Sequence, residues 1–236
     1  MDPEVREHRE IRYEKNKFSR EKEKKLLKIL DEGKETFPDI IQCPNQKCGN
    51  VLTVQKLSDS ILLMCKNCGW ESVLKRELKI MIFTEGTILM HKSAIGCSRE
   101  KAVAQVMTGE PSVGKYSEYV PIGGAVEKIK SWVANGATII YLTSRKGEEV
   151  KEIKSVLDRY NFSDGQLESR QECEEYKDVV ERIAPDVLIE DDCESVGGAS
   201  EMCHPNLRSN FQSEIKSIVV KEFEGIDCLS ENPTGL

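Results

Sequence analysis

The stretch Leu78-Lys79-Ile80-Met81-Ile82-Phe83 constrains this chain more than any other. Five of its six residues are apolar, and the run stops at the polar turn Thr84-Glu85-Gly86-Thr87. A strand with one wet face alternates apolar and polar residues. A continuous apolar run needs cover on both faces, as a central strand of a parallel sheet has. In open α/β sheets ligands sit just beyond the carboxyl ends of such strands. Glu85 and Thr87 are therefore placed to project into a site.

Downstream, strand and helix patterns alternate, which predicts an α/β fold built on a parallel sheet. Residues 98–107 read as a short helix with Ser98 as N-cap, and a loop-rich segment runs on to Tyr119. Pro121 to Trp132 opens an amphipathic helix that stops at Asn135-Gly136. The strand Thr138-Ile139-Ile140-Tyr141-Leu142 follows and runs into Thr143-Ser144-Arg145. A helix over 148–159 and a weaker segment at 166–169 come next. Residues 172–183 then read as a helix carrying Lys177, and Pro185 to Glu190 as a strand ending in Asp191-Asp192. A last strand spans 216–220.

Taken in this order, the residues resemble the motifs of the haloacid dehalogenase-like (HAD) superfamily over about residues 78–225. The resemblance implies a three-layer Rossmannoid domain with a small cap inserted after the first strand. It puts Glu85, followed by Gly86-Thr87, where the family has its acid/base Asp. Thr143 matches the hydroxyl that binds the phosphoryl group, and Ser144 opens the next loop, where free N–H groups favour an anion. Arg145 lies beside that loop, positioned to meet an anionic ligand. Lys177 matches the family's helix-borne Lys, and Asp191 and Asp192 match the carboxylates that hold Mg²⁺. One position departs: Phe83 stands where the family has its nucleophilic Asp, and a phenyl ring neither attacks phosphorus nor ligates a metal.

Ahead of the strand lie two cysteine pairs, Cys43 with Cys48 and Cys65 with Cys68, each followed by Gly. Short strand-like segments separate them. The arrangement resembles a zinc ribbon, whose two knuckles offer four thiolates to a tetrahedral metal. The resemblance implies a closed structural site for Zn²⁺, with iron as the alternative, and backbone N–H groups of the Gly turns aimed at the sulfurs. Residues 3–34 are dense in Glu, Lys and Arg and read as a charged helix. The expected organisation is thus a charged N-terminal helix (1–36), a ribbon-like module (37–77) and an α/β domain (78–236).

The chain lacks the run of about 18 apolar residues that a membrane helix needs. Its N-terminus has no apolar signal-peptide core, so a cytoplasmic location is expected. Residues 1–77 hold 16 Lys+Arg against 14 Asp+Glu, and residues 78–236 hold 18 against 27. So acidic a second half argues against a broad nucleic-acid surface. Three readings stay open. The first is a protein binding a small anionic or phosphorylated ligand, or a protein partner through its N-terminal helix or ribbon, with no phospho-enzyme. The second is a Mg²⁺-dependent phosphatase using Glu85 as base, with Lys177 and Asp191 assisting. The third is a zinc-ribbon adaptor for nucleic acid or protein.

Overall fold

The computed structural model describes residues 43, 45, 47–56, 60–75 and 78–236. The helix expected over residues 3–34 lies outside them. The chain divides into two compact units, Met1–Arg76 and Glu77–Leu236.

In the first unit, β1 (Thr53–Lys56), β2 (Ser60–Met64) and β3 (Glu71–Lys75) form an antiparallel meander in that order. Val54 pairs with Leu63 across the first hairpin. Among the described residues Leu52, Val54, Ile61 and Leu63 are buried, and they make up a core of very few side chains. So small a core rarely supports a fold without a staple such as a disulfide or a metal.

The second unit is an α/β domain around a five-stranded sheet, ordered β10-β9-β4-β7-β8. These strands are β4 (Leu78–Phe83), β7 (Ala137–Leu142), β8 (Gln166–Glu168), β9 (Val187–Asp191) and β10 (Lys216–Val220). All four pairings are parallel. The apolar run of β4 is central, as its pattern predicts. Ile80 and Ile82 enter the core on one face, with Ile129, Trp132, Ile153 and Val156. Met81 faces the other way, onto Val179, Val180, Leu188 and Ile215. Side chains alternate across a strand, so both faces must be covered by helices.

Helices α2 (Ala125–Ala134) and α3 (Glu148–Arg159) cover the first face, and α4 (Tyr176–Ile183) covers the second. A short α5 (Ser209–Glu214) leads into β10. The weak segment at 166–169 is the edge strand β8. The helix expected from residue 172 starts at Tyr176, because Asp178 reaches back to accept the Glu175 N–H at 2.8 Å, which closes the first turn there.

The insertion between β4 and β7 is small. The two-residue strands β5 (Leu89–Met90) and β6 (Val120–Pro121) pair antiparallel. Between them lies α1 (Arg99–Met107), whose Ser98 N-cap accepts the Lys101 N–H at 3.4 Å. The sheet order reverses at β4, and a crevice opens at such a switch point, beyond the carboxyl ends of the strands.

Candidate functional site

The turn after β4 is held tightly. The N–H groups of Ile88 and Leu89 both donate to the Thr84 carbonyl, at 3.0 and 2.8 Å. Gly86 has φ +81, and a Cβ there would lie 2.8 Å from Asp191 Oδ2 and 3.2 Å from Glu222 Cγ. Only glycine suits both the dihedral and the close approach.

One side of the carboxyl edge is acidic. Asp191 ends β9, buried, where Thr87 Oγ1 donates to its Oδ2 at 2.8 Å and the Cys193 N–H to its Oδ1 at 2.9 Å. Burial pushes its carboxyl up to about 6, with the charges of Glu222 and Asp192 adding to the shift. Glu222 comes from the loop after β10 and is buried too. Ser195 donates to it twice, from N–H at 2.8 Å and Oγ at 2.6 Å. Asp192 accepts two bonds from Arg99, both at 2.9 Å, and Lys221 Nζ stands 3.3 Å away. Burial works against that carboxylate's charge, but the Glu222 N–H, Arg99 and Lys221 together hold it below the usual carboxylate range.

The other side is basic and aromatic, and Glu85 is drawn into it. Thr143 Oγ1 donates to Glu85 Oε1 at 2.5 Å, while Thr84 Oγ1 and the Ser144 N–H reach Oε2 at 2.8 and 3.2 Å. Arg145 Nε lies 3.5 Å from the same carboxylate. Arg145 also stacks on Tyr116, 4.7 Å from the ring centre, and donates to its hydroxyl. Burial opposes the guanidinium's charge, but Glu85 and Tyr116 keep its pKa above the ordinary arginine value. Thr143, Ser144 and Arg145 thus form a cradle for an anion, and the anion it holds is the side chain of Glu85.

Phe83 sits between the two sides, edge-on to Tyr176 with ring centres 5.8 Å apart. The Tyr176 hydroxyl donates to the Ser144 carbonyl at 2.9 Å. Lys177 is placed differently from the role the resemblance gives it. Its Nζ pairs with Glu175 at 2.5 Å, and that contact raises its pKa. The reason is helix phase: Tyr176, Val179, Val180 and Ile183 all pack on the sheet, so position 177 falls off the inward stripe.

No protein-family model and no curated protein matches this chain. Solved structures that it resembles include a class C acid phosphatase from Bacillus anthracis with tungstate bound. That match has 14% identity and a TM-score of 0.42, and it covers 64% of this chain and 70% of the other. A D,D-heptose 1,7-bisphosphate phosphatase from Burkholderia thailandensis is 14% identical, with a TM-score of 0.34 over 63% of this chain and 94% of its own. A HAD family hydrolase from Deinococcus radiodurans R1, with bound phosphate and sodium, is 9% identical, with a TM-score of 0.35 over 62% and 92%. Likeness at this level concerns the fold alone.

Among the described residues, two groups of side chains have the chemistry of metal sites. In the first unit, Cys43, Cys48, Cys65 and Cys68 bring their sulfurs within 4.8 Å of one another. The Cys43–Cys68 and Cys48–Cys65 Sγ separations are both 3.5 Å. A tetrahedron of thiolates with Zn–S bonds of about 2.3 Å has edges of about 3.8 Å, so the four fit a single such ion. Gly49 and Gly69 take positive φ, at +59 and +72. The Gly69 N–H goes to the Cys65 carbonyl at 2.9 Å and not to a sulfur. The Asn67 side-chain amide donates to Cys48 Sγ at 3.3 Å instead, and chiefly through this bond lowers that thiol to about 6.

In the second unit, Asp191, Asp192 and Glu222 bring three carboxylates within 4.8 Å. Hard oxygen donors at this spacing fit a divalent cation such as Mg²⁺. Arg99 and Lys221 already balance Asp192, which leaves Asp191 and Glu222 as the pair whose mutual repulsion a cation would relieve. Glu222 was not legible as a site residue. It becomes one because Val220 pairs with Asp191 in register, two residues before Glu222.

Proposed function

We propose that residues 78–236 form a divergent HAD-like domain that binds an oxyanion beside a divalent cation and forms no phospho-enzyme. The observation that carries this reading is the juxtaposition of an anion-binding loop and a cluster of carboxylates at the strand ends. Thr143, Ser144 and Arg145 converge on a carboxylate next to a three-carboxylate cluster, while the end of β4 presents Phe83. A cation held by Asp191 and Glu222, with help from Asp192, would neutralise charge on a bound phosphate. Asp191 and Glu222 are oriented by Thr87, Cys193 and Ser195, and Arg145 is oriented by Tyr116. Phe83 and Tyr176 pack edge to face at the strand end.

Glu85 is better suited to holding the loop than to taking a proton. A carboxylate has about four lone-pair sites, and here three donors and a guanidinium address them. That weighs against direct attack by a water that Glu85 would activate. In the first unit the four cysteines are read as a structural zinc site, whose metal would stabilise a meander with very little core of its own. A cytoplasmic location, and a protein partner engaged through the N-terminal helix or ribbon, remain expectations of the same reading.

Calorimetric titration of Mg²⁺ in the presence of orthovanadate tests the proposal. Wild type is expected to bind both, Asp191→Asn to lose the cation, and Phe83→Asp to tighten it by adding a carboxylate. Binding by neither wild type nor Phe83→Asp would refute the retained site.

A further inference from the structure

Arg170 plays no part in the site described so far. It leaves the carboxyl end of β8, next to the Thr143–Arg145 loop that leaves β7. Its guanidinium carbon lies 4.1 Å from the centre of the Tyr176 ring. Tyr176 is itself fixed, by its hydroxyl on the Ser144 carbonyl and its ring edge on Phe83. The guanidinium is therefore held on a ring that is itself tied to the anion loop.

Arg170 has no carboxylate. Two other arginines are half-buried, and both are paired: Arg99 with Asp192 and Glu194, and Arg145 with Glu85. The more exposed Arg182 pairs with Glu168 and Glu174. Among the described residues Arg170 makes no ion pair and no hydrogen bond, and its Nε is buried without a partner. A desolvated donor on a charged group is costly to leave unsatisfied. Arg145 is matched by Glu85, which leaves Arg170 as a half-buried guanidinium on this side with no carboxylate to balance it.

We infer that Arg170 is the binding residue that receives the oxyanion head, phosphate or carboxylate, of this domain's ligand. The inference deepens the proposed function and rests on it. It gives the anion-binding task to a loop arginine stacked on Tyr176 and withholds it from Lys177. A planar guanidinium fork offers an oxyanion two parallel N–H bonds, which an ammonium does not. With Glu85 seated in the cradle, the oxyanion is assigned to Arg170, whose guanidinium stacks on the Tyr176 ring that is itself bonded to the Ser144 carbonyl.

The test is calorimetric titration of the full chain, with Mg²⁺ present, using inorganic phosphate in one arm and acetate in the other. The two arms identify the head group. Wild type is expected to bind at least one. Arg170→Ala should then weaken that affinity about tenfold or more, and Lys177→Ala should leave it unchanged. Arg170→Lys keeps the charge without the fork and should also bind more weakly. It carries the test if Arg170→Ala does not fold. Wild-type affinity in Arg170→Ala, or in Arg170→Lys where the alanine variant is unfolded, would overturn the inference and leave the anion-binding reading standing. A wild type that binds neither probe would overturn both.

Discussion

Replacing Gly86 by alanine isolates the feature that brings the β4 turn and the acidic cluster together. Two costs add. The residue sits at φ +81, and a left-handed conformation costs an L-residue roughly 1–2 kcal/mol. The new methyl would also lie 2.8 Å from Asp191 Oδ2. Asp191 cannot simply swing aside, because Thr87 and the Cys193 N–H hold both of its oxygens. Overpacking of this kind costs about 1–3 kcal/mol. The expected total of about 2–5 kcal/mol corresponds to a Tm lower by roughly 5–15 °C for a domain of this size. Thermal unfolding followed by circular dichroism reads it. Gly109→Ala is the control, since Gly109 has φ +67 and nothing within 4 Å of a built Cβ. It should show only the conformational cost. If Gly86→Ala melts no lower than Gly109→Ala, the close approach to Asp191 is not a real constraint and the argument for a tightly built site fails.

Asp191 predicts a pH dependence. Its carboxyl is pushed up to about 6 by burial, against about 3.9 in an unfolded chain. Between those values the folded state holds the proton more tightly, so this contribution is full below about pH 4 and is lost as pH rises through about 6. For metal-free protein the loss amounts to about 3 kcal/mol. Denaturant unfolding across that range should show the slope in wild type and a flatter profile in Asp191→Asn; equal slopes would contradict the assignment. Ala184 ends α4 in the left-handed region, at φ 48 and ψ 68. Ala184→Gly should therefore raise stability by about 1 kcal/mol, and a lower midpoint in denaturant would count against that reading. For the ribbon, elemental analysis should find one zinc per chain. Chelation should melt the first unit while the second keeps its circular dichroism signal; a ribbon that stays folded without metal would refute the structural role.

Strands β4, β7 and β9 were legible because each carries a continuous apolar run, and such runs mean burial on both faces; the edge strand β8, Gln166–Glu168, carries none. The cysteine pairs were legible from spacing, since a ligand set leaves its mark locally. Glu222 and Arg99 were not. They meet Asp191 and Asp192 through strand order and through an insertion, and a linear pattern records neither. Arg170 carries no local signal at all, being one charged residue in a polar loop. Lys177 is a different case. The spacing Tyr176, Val179, Val180, Ile183 already set the inward face of its helix, so a reading by helix phase would have turned the lysine outward. The self-filled cradle could not be foreseen either. That Glu85 would curl onto Thr143 depends on β4 and β7 being neighbours with their ends aligned, Phe83 opposite Leu142.

The central claim is that this domain keeps an oxyanion and cation site while Phe83 removes covalent chemistry. Phosphate release from a broad panel of phosphomonoesters with Mg²⁺, in wild type and Asp191→Asn, tests it most directly. The account predicts no turnover by either protein. Turnover by wild type that disappears in Asp191→Asn would contradict it, and would make Glu85 a base working from within the cradle.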